Sequence, residues 1–187
     1  MANDCCGVIR VVAKDKSVID HLYTIFNYED TEYHLYGCRY CSRLDNGIEE
    51  NGFWRSDFEV CGRYACSPFF YEENDENKLL IKEYPRKADG SFDTDHPIVG
   101  TSHITNLAYL AETLGFGCEL YSEETSCEFC EHFMVDHNGE FVYNEEGDLS
   151  EVFPPNKNNK SDNDVDIEYA YGIDGYMNFS NTKEIYR

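Results

Sequence analysis

The sequence predicts an α+β fold, an antiparallel sheet with helices on one face. Three observations carry that prediction. Runs rich in β-branched and aromatic residues recur along the chain with period-two alternation. Two amphipathic segments, around Val18–Phe26 and Leu107–Leu114, interrupt them at helical spacing. The runs also meet at Asp45-Asn46-Gly47 and Asn138-Gly139, polar turns that suit antiparallel neighbours.

The elements follow in order. Val8, Ile9, Val11 and Val12 after Gly7 predict a strand over 5–13. Asp15 or Ser17 then caps a helix in which Val18, Ile19, Leu22, Ile25 and Phe26 share a face up to Asn27. After the polar turn 29–32, residues 33–44 are rich in Tyr and Cys and suit a strand. Residues 53–66 alternate around Trp54, Phe58, Val60 and Tyr64, a second strand antiparallel to it. Pro68, Pro85 and Pro97 punctuate the next stretch, within which 79–84 suits either a short strand or a helix, and 71–103 reads as an insertion. Thr105 opens a helix with Leu107, Leu110, Ala111 and Leu114 on one face and Gly115 at its C-cap. Residues 116–121 read as a strand. Residues 128–135 and 140–143 read as a hairpin about Asn138-Gly139, and Gly147-Asp148 marks the turn after it. Residues 154–164 have no apolar side chain besides their prolines and read as a linker. In 165–186, Ile167, Tyr169, Tyr171, Ile173, Tyr176 and Phe179 alternate about Gly172 and Gly175, which predicts a last hairpin. The expected organisation is one domain over 1–153, with an acidic linker and hairpin over 154–187 packed on it. The skeleton is strand, helix, strand, strand, helix, strand: a ferredoxin-like βαββαβ unit with an insertion and a C-terminal extension.

Charge is the feature most informative about function. Fifteen basic residues face 37 acidic ones among 187, a net of −22. With 41% hydrophobic and 15% aromatic residues, the acidity sits on a folded body. Such a charge disfavours nucleic acid and anionic membranes, and favours a basic partner. Basic partners are mostly proteins that handle nucleic acid.

Chemistry-bearing motifs are sparse. The nine cysteines are an odd count, and no export signal or membrane-length apolar run accompanies them, so reduced thiols in a cytoplasm are expected. Cys38/Cys41 and Cys127/Cys130, with His132 nearby, could make a zinc site. On a strand, however, i and i+3 face opposite ways, which favours free thiols acting as small hydrophobes. A disulfide between the adjacent Cys5 and Cys6 is not expected. Asp89, Asp93 and Asp95 lack the calcium-loop order and suit ordinary turns. Six histidines have no paired spacing, and no nucleophile elbow or phosphate loop is present. No catalytic residue, metal or cofactor is expected.

The Cys5-Cys6 start before a β-branched strand, the Trp-bearing FWRSDFEV, GFGCELYSEE and CEFCEHFMVDHNGEFV together resemble a family of small ferredoxin-like proteins of phages and mobile elements, and the resemblance points towards an anti-CRISPR-type inhibitor. The resemblance covers roughly 1–70 and 104–150 and carries no catalytic signature. It implies a mobile-element origin and a host cytoplasm.

The acids are clustered. Asp162, Asp164, Asp166 and Glu168 alternate strictly. If extended, their carboxylates face one way about 6.6 Å apart, from a rise of roughly 3.3 Å per residue, close to a phosphate spacing. Tyr169 and Tyr171 follow as interface anchors. Further runs are Glu72, Glu73, Asp75 and Glu76; Glu123 and Glu124 with Glu128 and Glu131; and Glu145, Glu146, Asp148 and Glu151. The expectation is a non-catalytic acidic inhibitor occupying the basic nucleic-acid groove of a host defence nuclease, such as a CRISPR effector, as a nucleic-acid mimic. The alternatives are a zinc-stabilised or redox-active cysteine protein, or a small enzyme acting on nucleotide or RNA.

Overall fold

The computed structural model describes residues 4–71, 75–83, 85–124, 129–148 and 177–187. Its main sheet has seven strands. They are β1 (Asp4–Ala13), β3 (Cys38–Arg43), β4 (Ile48–Glu50), β5 (Phe53–Arg63), β8 (Phe116–Glu124), β9 (Phe129–Val135) and β10 (Phe141–Asp148). Their order is β10-β9-β8-β1-β5-β3, with β4 paired to β5, and every pairing is antiparallel. A smaller sheet has the order β2-β7-β6, from β2 (Tyr33–Leu35), β7 (Ile98–Thr105) and β6 (Asp75–Glu83). There β2 runs parallel to β7.

Alternation along β1 explains the layering. Cys5, Ile9, Val11 and Ala13 face the main core. Over them lie α1 (Lys16–Phe26), through Ile19, Leu22, Ile25 and Phe26, and α3 (Leu107–Leu114), through Leu107, Leu110 and Ala111. The short α2 (Pro68–Tyr71) adds Phe69 and Phe70. Each such side chain contributes roughly 1.5–3 kcal/mol when fully buried. Phe26 and Phe58 meet at 5.5 Å between ring centroids. Asn106 caps α3 by accepting the Tyr109 N–H, and Gly115 closes it at φ 71°, a left-handed position that glycine adopts freely.

The other sheet face carries a second, smaller core of Val12, Met134 and Ile185. Ile185 belongs to α4 (Thr182–Tyr186). Gly117 lets that segment approach, because a Cβ there would lie 2.0 Å from the Ile185 carbonyl oxygen. Helices therefore do not all lie on one face, as the sequence had suggested.

Other expectations change too. The strand expected over 33–44 is two, divided at Tyr36-Gly37, whose first half joins the smaller sheet. Asn106, not Thr105, precedes α3, since Thr105 ends β7. Gly147 and Asp148 end strand β10 rather than forming a turn. The expected last hairpin lies largely outside the described residues, and its described end is helical. The sheet exceeds the four strands of a bare βαββαβ unit because the β9–β10 hairpin extends one side and β4 the other.

Candidate functional site

Most of the candidate partner-binding residues, Asp162, Asp164, Asp166, Glu168, Tyr169, Tyr171, Glu72 and Glu73, lie outside the described residues. Asp75 and Glu76 begin β6. Glu123 is half-buried opposite Cys130, and Glu124 is only 4% exposed, so it offers no surface to a partner. The inward turn of Glu124 follows from strand parity, since it shares a face with Cys118, Leu120 and Ser122.

One acidic run is well placed. Glu145, Glu146 and Asp148 sit on β10, the last strand in the sheet order, and all three are exposed. None has an ion pair among the described residues. Glu145 stands opposite His132 and Glu146 opposite Glu131, so the strand shows carboxylates on both faces. Elsewhere four arginines are committed. Arg10 holds Asp57 through two 2.7 Å bonds, Arg39 holds Asp4, Arg43 holds Asp20 and Arg55 holds Glu50. The Arg43 hydrogen bond keeps the Asp20 carboxyl below its usual value despite some burial. Asp57 likewise raises the Arg10 guanidinium further.

Beside this edge, the second sheet face carries a polar network centred on Glu119. Its carboxylate accepts from the Ser180 N–H at 2.7 Å, the Ser180 hydroxyl at 3.3 Å and the Tyr121 hydroxyl at 3.2 Å. It also bonds His132 Nε2 at 2.8 Å. The His132 ring stacks between Tyr121 and Tyr143, with centroids at 4.3 and 4.7 Å. Arg10 lies 4.4 Å from the Phe179 ring. The network clamps residues 178–180 onto the sheet.

The cysteines depart from expectation. Cys6 and Cys61, cross-strand partners in the β1–β5 register, form a disulfide with Cα atoms 4.2 Å apart. They are therefore not all free thiols. Cys38 and Cys41 both enter the main core, because a bulge near Tyr40 shifts the parity that i and i+3 would otherwise obey. Burial pushes the Cys38 thiol up to about 12 and raises Cys41 as well. Cys127 lies outside the described residues, and the Cys130 Sγ donates to the Gly147 carbonyl. In 89–95 the carboxylates cap local turns: Asp89 accepts from Ser91 and Asp93 from the Asp95 N–H.

A cavity of about 530 Å³ opens between the two sheets, lined by Tyr28, His34, Arg39, Arg63 and Ile104 among others. Burial lowers the pKa of His34 and raises that of Tyr28, so both are neutral near pH 7. No helix among the described residues is long and apolar enough to cross a membrane. Comparison with protein-family models, with curated proteins and with solved structures gives no match for this chain.

Proposed function

We propose that this chain is an acidic binding protein that occupies the basic nucleic-acid groove of a partner, a host defence nuclease such as a CRISPR effector, without catalysis. The observation that carries the reading is the β10 edge, where Glu145, Glu146 and Asp148 are all exposed and unpaired among the described residues on a chain of net charge −22. A strand edge holds them at a fixed spacing, and Glu146 and Asp148, two residues apart, stand about 6.6 Å from each other at roughly 3.3 Å per residue. A charged edge also deters strand addition by other chains. That role and partner binding use the same residues. Asp162, Asp164, Asp166 and Glu168 add to the acidic charge of the chain, and Tyr169 and Tyr171 stay the proposed anchors.

The strand order β8-β1-β5-β3, with α1 and α3 as crossovers on one face, supports a ferredoxin-like unit at the centre of the sheet. In this reading β9 and β10 are an addition that carries the acidic edge. The mobile-element origin rests on the sequence resemblance.

The test is binding to purified defence nucleases at low salt, each with its nucleic-acid groove open or filled. Wild-type protein binds only the open form. The triple variant E145K/E146K/D148K weakens binding at least about tenfold, equivalent to about 1.4 kcal/mol. If the triple variant and a second reversal of Asp162, Asp164 and Asp166 both bind as wild type, the reading is wrong.

A further inference from the structure

We propose that Cys5, Cys66 and Glu131 form a core site for one zinc-type divalent cation. The two Sγ atoms and a carboxylate oxygen lie within 4.8 Å of one another, and all three residues are 0% exposed. They come from β1, from the turn after β5 and from β9, so only the folded sheet brings them together. Cys5 Sγ is 3.4 Å from Glu131 Oε2. A tetrahedral zinc with arms of about 2.3 Å to sulfur and about 2.0 Å to oxygen sets those ligands roughly 3.5 Å apart. The pair already stands at that spacing.

The carboxylate is held from behind. Glu131 Oε2 accepts from the Cys66 N–H at 2.7 Å and the Ser122 hydroxyl at 2.6 Å, and Oε1 accepts from the Ser67 N–H at 2.8 Å. Outer partners of this kind orient metal ligands and tune them. Cys66 Sγ lies 3.3 Å from the Cys5 carbonyl oxygen. Cys5 and Cys66 are free thiols, whereas Cys6 points to the other sheet face and pairs with Cys61.

The plain alternative is a hydrogen-bonded core without metal. It accounts for Glu131, whose backbone and hydroxyl donors satisfy it. It also gives each thiol an acceptor, Glu131 Oε2 for Cys5 and the Cys5 carbonyl for Cys66, but it does not require both Sγ atoms to lie within 4.8 Å of one carboxylate oxygen in a wholly buried place. Two soft sulfurs with one oxygen favour zinc over magnesium or calcium.

Binding is not a redox step. The S–H bonds of Cys5 and Cys66 break and two protons leave to solvent. Two sulfur–metal bonds and one oxygen–metal bond form. Two positive charges arrive as two leave, so the net charge of the chain is unchanged. Burial, with Cys5 and Glu131 as neighbours, holds the Cys66 thiol well above its ordinary value.

The experiment uses the full chain purified without chelator. Zinc per chain is measured directly. The metal-free protein is then titrated with zinc, reading proton release, and with cobalt(II), reading thiolate-to-cobalt charge-transfer absorption. Thiol labelling with and without zinc maps the protected cysteines. The expected result is one ion per chain, two protons released, and protection of Cys5 and Cys66 only. C5S and C66S lose the ion and C118S, a buried thiol elsewhere in the core, keeps it. No binding to the wild-type chain overturns the proposal, as does protection of a different cysteine pair. These wild-type readouts decide the matter even if C66S fails to fold.

Discussion

Replacing Glu119 by alanine should release the C-terminal segment from the sheet. The Glu119 side chain is 1% exposed, and its carboxylate gathers donors from Ser180, Tyr121 and His132. Removing it leaves those donors against an apolar gap, and each buried unsatisfied group costs about 1–3 kcal/mol. Water rescues the more exposed ones, so E119A should lose roughly 3–5 kcal/mol, in the range for breaking a buried pair. E119Q keeps the volume and one acceptor oxygen. It loses the extra strength of bonds to a charged group, roughly 1–2 kcal/mol. Urea unfolding measures the two losses, and amide exchange over 177–187 shows where they fall. Exchange there should rise most, because the Ser180 bonds to Glu119 lead directly into the segment that lays Ile185 and Tyr186 on the sheet. E119A within about 0.5 kcal/mol of wild type, with protection over 177–187 unchanged, would refute the clamp.

Gly117→Ala places a methyl 2.0 Å from the Ile185 carbonyl oxygen, so α4 must shift. A loss of roughly 1–3 kcal/mol with raised exchange in α4 is expected, and unchanged exchange would count against the packing. Asp45 accepts from the N–H groups of Asp57 and Gly47 and from Ser56, which overcome the upward push of burial and leave its pKa lowered. Its contribution to stability is therefore present above the unfolded value of about 3.9 and lost as pH falls through the folded value. D45N should flatten the stability profile in that acidic window, and a profile parallel to wild type would exclude the effect. The Cys6–Cys61 disulfide spans 55 residues, and its reduction should cost up to about 4 kcal/mol from loop entropy. Equal urea midpoints with and without reductant would show that it contributes nothing.

Local signals read well where they were self-sufficient. The β-branched run of β1, the apolar face of α1 and the Leu-rich face of α3 with Gly115 gave elements within a residue or two of those found. The α4 helix was missed although Asn181 and Glu184 form a capping box, whose Asn-x-x-Glu spacing was visible. Alternating aromatics upstream drew the reading towards a strand. The parallel pairing of β2 with β7 joins residues some seventy positions apart and has no local signature. The disulfide and the convergence of Cys5, Cys66 and Glu131 depend likewise on register, since parity tells which face a residue takes but not which strand lies beside it. The β10 acids were legible as a run, but their position on the last strand of the sheet among the described residues was not.

The acidic-surface account is tested most directly by competition on a defence nuclease that binds the wild-type chain. Its affinity is measured across a salt series, with and without nucleic acid in the nuclease groove. The account predicts that log affinity falls linearly with log salt, that nucleic acid and this chain exclude each other, and that E145K/E146K/D148K flattens the salt slope. Simultaneous binding of chain and nucleic acid, or an affinity indifferent to salt, would contradict it.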